Sequence, residues 1–92
     1  MLTPLEAAFI AVVVGMPLPD RCWHIPMPDK HCADLAFLKA KGAYFKGSNL
    51  ILLDEKNCDD PAIMRHEITH YLQHHCGLLY SEEQATEMEK LR

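Results

Sequence analysis

Residues 59–77 read DDPAIMRHEITHYLQHHCG, and the way this stretch folds decides how the rest of the chain is read. Asp60 followed by Pro61 is a helix-opening pair. The carboxylate can cap the first turn, and proline at the first helical position lacks only an N–H that would have no partner anyway. Gly77 suits the left-handed position that closes a helix. The residues between are therefore expected to be helical. On a 3.6-residue wheel, Met64, Ile68, Tyr71, Leu72 and His75 share one broad side, and Ile63, His66, His70, Gln73 and His74 occupy much of the other. The helix is expected to have an apolar back and a histidine-lined front. His75, on the back, reads as a hydrogen-bonded structural residue.

Within the helix lies His66-Glu67-Ile68-Thr69-His70. Residues four apart project from one face, so both imidazoles can reach a shared zinc ion at about 2 Å. Glu67 is rotated by about 100° from His66 and falls beside such a metal rather than on it. From there its carboxylate can take a proton from a water that the metal polarises. The spacing thus encodes two metal ligands and one general base. His74 continues the four-residue series, but it lies ~12 Å along the axis from His66 and cannot share one ion with it.

Working outward, Ala43-Tyr44-Phe45 and Leu50-Ile51-Leu52-Leu53 flank the turn-forming set Lys46-Gly47-Ser48-Asn49. This predicts a β-hairpin, with a second strand apolar throughout because both of its faces are covered. Upstream, prolines at 17, 19, 26 and 28 predict an extended connector with an edge strand around Cys22 to Ile25. The segment HCADLAFLKAKG is a short helical turn or irregular. Thr3 and Pro4 open an N-terminal helix, which lacks the positive n-region and cleavage site of a signal peptide. Downstream, Ser81 and Gln84 have the spacing of a capping box for a last helix over 82–91, with Ala85, Met88 and Leu91 turned to the core. The fold class is α+β: a single small domain spanning residues 1–92 with an N-terminal helix, a hairpin-based sheet, the HExxH helix and a short C-terminal helix.

With those elements in place, the chain resembles a very small zincin of the gluzincin kind. The segment RHEITHYLQ is similar to the HExxH segment of ImmA/IrrE-type and phage-associated minimal metallopeptidases. The resemblance implies an edge strand above the helix, here Leu50 to Leu53, which would hold an extended peptide by β-addition. It also implies a Glu-x-x-Ala element on the next helix, here Glu82-Glu83-Gln84-Ala85, with Glu82 as third zinc ligand. The chain departs from the pattern in its short interval from His70 to Glu82 and in Gln84, where a second acid is frequent. A helical-hairpin estimate points instead to Glu87, with Glu83 as a third alternative. His24 and His31 could approach the site from the proline-rich segment, and Tyr80 is a candidate oxyanion donor.

The expected function is that of a zinc metallopeptidase, with Zn2+ as cofactor, a peptide or protein as substrate, and Glu67 activating the attacking water. The alternative is a non-catalytic interaction module in which zinc stabilises an undersized core. A net charge of −4 without a basic cluster argues against nucleic-acid partners and against a membrane-surface helix. The four cysteines, 22, 32, 58 and 76, form no CxxC pair. Separate thiols in a cytoplasmic protein are the expectation. Two disulfides, with three possible pairings, would instead indicate a secreted or periplasmic protein.

Overall fold

A computed structural model describes residues 1–24 and 27–91. Helix α1 runs Pro4–Gly15, opened by a reciprocal cap in which Thr3 Oγ1 accepts from Glu6 N at 3.1 Å and Glu6 Oε1 from Thr3 N at 3.2 Å. It ends where Pro17 forces Met16 into an extended conformation. The expected edge strand around Cys22 does not form. Asp20–His24 is a 3₁₀ turn instead, and Ile25 lies outside the described residues. Ala36–Leu38 is a second short 3₁₀ turn.

The sheet has three strands, β1 (Asp29–Ala33), β2 (Gly42–Phe45) and β3 (Leu50–Asp54), in the spatial order β1-β3-β2. The hairpin forms as expected, antiparallel with Tyr44 opposite Ile51, and its left-handed residue is Asn49 at φ 48°. β1 pairs in parallel with the other side of β3, His31 opposite Leu52. This overturns one expectation: β3 is the central strand, bonded on both sides, and its edges cannot receive a peptide. The edge strand beside the helix is β2. Nor are both faces of β3 equally covered, since Ile51 and Leu53 are fully buried while Leu50 and Leu52 are half-buried.

Helix α2 spans Pro61–His75 and is capped at both ends as its sequence predicts. Asp60 Oδ1 accepts from Ala62 N at 2.9 Å. At the other end Leu78 N donates to Gln73 O at 3.0 Å, and Gly77 takes φ 66°. Arg21 reinforces this end by donating to Cys76 O at 2.7 Å. Met64, Ile68, Tyr71 and Leu72 are buried in the main core with Val12, Ile51 and Leu53. Ile63, placed by the wheel on the histidine side, is buried as well.

Helix α3, Glu82–Met88, is shorter than expected. Ser81 Oγ accepts from Gln84 N at 3.0 Å, but the reciprocal half of the box is supplied by Gln73, whose Oε1 accepts from Ser81 N at 3.3 Å. Ala85 and Met88 are buried and Leu91 packs on the core, as the pattern requires. Arg65 ties the end of α3 to α2 by donating to the carbonyls of Met88, Glu89 and Leu91 at 2.7–2.9 Å.

All four cysteines are paired, which corrects the expectation of separate thiols. Cys22–Cys76, with Cα atoms 5.5 Å apart, joins the first 3₁₀ turn to the end of α2. Cys32–Cys58, at 5.7 Å, joins β1 to the loop before α2. Loops of this size make each bridge worth roughly 2–4 kcal/mol against unfolding. Both bridges brace the helix that carries the histidines.

Candidate metal centre

His66 and His70 stand one turn apart on α2, as the i, i+4 geometry demands, and their rings are 5.0 Å apart. Glu82, the first residue of α3, reaches back between them. Its Oε1 lies 2.7 Å from His66 Nε2 and its Oε2 lies 2.9 Å from His70 Nε2. The three residues place one potential ligand atom each within 4.8 Å of one another. Glu83 and Glu87, the two alternatives, are exposed and stand outside this group.

The far sides of both rings are also engaged. His70 Nδ1 lies 2.9 Å from Gln73 Oε1. The orientation of that amide is fixed, because Gln73 Nε2 donates to Ser81 O at 3.0 Å and to Gln84 Oε1 at 2.9 Å. His66 Nδ1 lies 2.6 Å from Glu89 Oε1, in an ion-pair contact rather than an aligned hydrogen bond. Acceptors thus flank both nitrogens of both imidazoles. A neutral imidazole has only one N–H. With that hydrogen on Nδ1, two Nε2 lone pairs and a carboxylate converge on one point, and either a second proton on the rings or a cation bound between them relieves the repulsion. Two imidazoles and one carboxylate form a donor set of catalytic zinc sites, and other first-row divalent ions accept the same donors.

Glu67 is only 6% exposed, and burial raises its carboxyl above the ordinary value, partly offset by the charges of His66 and His70. Room for it comes from β2: a Cβ on Gly42 would lie 3.3 Å from Glu67 Cγ. Burial also opposes ionisation of Glu82, but the hydrogen bond from Tyr80 and the charges of His66 and His70 together hold its carboxyl low. Tyr80 Oη donates to Glu82 Oε2 at 2.8 Å, and its ring stacks on His70 at 4.8 Å with the planes 9° apart. That hydrogen bond, with burial and the charge of Glu82, raises the phenol. Tyr80 therefore sits over His70 and is bonded to Glu82.

A cleft of about 950 Å³ opens at this centre and runs between β2 with its hairpin turn and the second half of α2. Gly42, Tyr44 and Lys46 line one wall, and His70, His74 and Leu78 the other. No protein-family model, curated protein or solved structure matches the chain.

The other histidines whose side chains are described stand apart from His66, His70 and Glu82. His31 is exposed on β1, on the far side of the sheet from β2, and the side chain of His24 lies outside the described part. His74 faces the cleft near Tyr44, at 6.4 Å between rings. His75 packs on Tyr71 at 4.7 Å, but among the described residues its buried Nε2 has no hydrogen-bond partner, contrary to the expected bonded role. Burial, followed by the charge of His74, lowers its pKa. Sequence reasoning missed Gln73, Glu89 and Gly42. Glu89 had a legible signal, seven residues after Glu82 and so on the same face of α3.

Proposed function

We propose that the protein is a zinc-dependent metallopeptidase in which His66, His70 and Glu82 hold the metal and Glu67 is the general base. The observation that carries this reading is the convergence of two Nε2 atoms on Glu82 while both Nδ1 atoms already face acceptors. Zinc held there would supply Lewis acidity toward a carbonyl oxygen and toward water. Glu67, one residue after His66 and three before His70 and buried beside the cleft, would take the proton from the attacking water and return it to the leaving amine.

The substrate is a peptide or protein. Its extended backbone would add to the free edge of β2, the strand that carries Gly42 and Tyr44 along the cleft. This transfers to β2 the role that the sequence resemblance gave to β3. The paired cysteines favour an oxidising compartment, so we place the protein outside the cytoplasm, secreted or periplasmic. Among the described residues no helix is long and apolar enough to cross a membrane.

A non-catalytic zinc-stabilised module is the competing reading, favoured by the way Glu82 bridges α3 to α2 at the metal centre. The two disulfides already brace α2, which reduces the need for a structural ion. Glu67→Gln separates the two. It is expected to retain stoichiometric zinc and to lose cleavage of a mixed peptide library, whereas undiminished cleavage would remove Glu67 from the mechanism.

A further inference from the structure

Beyond the ligands and the base, we infer that Glu89 is a positioning residue for the metal centre. It would hold the His66 ring with Nε2 toward the metal, and Arg65 would in turn hold Glu89 in place. The inference rests on the metallopeptidase reading only in so far as that reading requires zinc at His66, His70 and Glu82.

Glu89 Oε1 lies 2.6 Å from His66 Nδ1, while Glu82 Oε1 lies 2.7 Å from Nε2 of the same ring. Seven residues along α3 is two turns, or ~10 Å, so two carboxylates on one helical face bracket a single imidazole. A negative charge at Nδ1 keeps the hydrogen there and leaves the Nε2 lone pair for the metal. It also strengthens that nitrogen as a donor. His70 is backed differently, by the neutral amide of Gln73. The two histidine ligands are therefore unequal.

Glu89 follows the last turn of α3, where an unsupported backbone would fray. Arg65 prevents this by donating to the carbonyls of Met88, Glu89 and Leu91. It immediately precedes His66 in the chain. One residue pair, Arg65-His66, thus grips the backbone of this segment and meets the side chain of Glu89.

The test is zinc affinity of the full-length chain, measured by competition with a chromogenic chelator, for wild type, Glu89→Ala and Glu89→Gln. Thermal unfolding in excess chelator is recorded in parallel. Glu89→Ala is expected to weaken zinc binding about 10–100-fold. Glu89→Gln, which keeps a partly negative amide oxygen beside Nδ1 without the full charge, is expected to recover part of that loss, with little change in unfolding under chelator. Should the alanine variant not fold, the glutamine variant decides, and weaker zinc binding than wild type supports the role. Wild-type affinity in Glu89→Ala would overturn it. Equal loss in both variants, with equal lowering of the unfolding temperature under chelator, would mark Glu89 as merely structural. Wild type is titrated first, and its failure to bind zinc would overturn the metallopeptidase reading and this inference together.

Discussion

Gly42→Ala couples the fold to the site through a single methyl group. A Cβ at this position would lie 2.8 Å from Leu53 Cδ2 and 3.3 Å from both Glu67 Cγ and Leu52 O. Leu53 is fully buried with little room to swing aside, so the methyl group must be accommodated by shifts of Leu53, the strand or Glu67. The glycine sits within strand β2 and has no left-handed φ, which makes the cost steric rather than conformational. Overpacking of this kind costs about 1–3 kcal/mol. Alanine recovers roughly 0.5–1 kcal/mol of that through the lower entropy of its unfolded chain. The expected net loss is about 1–2 kcal/mol, seen as a fall in unfolding temperature of roughly 4–15 °C for a domain of this size. Zinc affinity should change little, because no ligand is touched, while peptide cleavage should fall with the displacement of Glu67. Thermal unfolding, chelator competition and library cleavage on one preparation read all three effects. A variant that unfolds with wild type and cleaves at the wild-type rate would refute the claim that Gly42 makes room for the base.

Arg65→Met keeps the aliphatic stem but removes three hydrogen bonds to the end of α3. Urea denaturation should show a loss of about 2–4 kcal/mol, and zinc binding should weaken as α3 loosens its hold on Glu82. His75 supplies a pH signature. Its folded-state pKa is lowered from 6.5 by burial and then by His74, so the fold prefers the neutral ring. Its contribution is fully present above the unfolded value and is lost as the pH falls below it, because the unfolded chain then binds the proton more readily. His75→Phe should therefore close part of the stability gap between pH 7.5 and pH 5 in urea midpoints, and an unchanged gap would exclude His75 as a contributor.

Much of this fold is written in local punctuation. Asp60-Pro61 and Gly77 mark the ends of α2, Thr3-Pro4 marks the start of α1, and Lys46 to Asn49 marks the hairpin. Each signal acts through backbone groups within a few residues, which is why it can be read without the tertiary structure. β1 carries no such signal. Its sequence, Asp-Lys-His-Cys-Ala, lacks an apolar alternation and forms a strand by parallel pairing with β3, some twenty residues away. Missing β1 left β3 at the apparent edge and misplaced the surface open to a peptide. The cysteine pairings were equally hidden, since they depend on where the first 3₁₀ turn meets the end of α2. At the site, His66, Glu67 and His70 follow from helical spacing alone. Which glutamate meets the two histidines, Glu82 rather than Glu87, depends on how α3 crosses α2, and the α2–α3 connection and the Gln73 amide together hold that crossing.

Metal content tests the central claim most directly. The chain, purified without chelator and then equilibrated with zinc and desalted, should carry close to one zinc ion per molecule, and His66→Ala/His70→Ala should carry almost none while its disulfides remain intact. A wild-type chain that stays free of zinc, or a double variant that retains the full amount, would contradict the account.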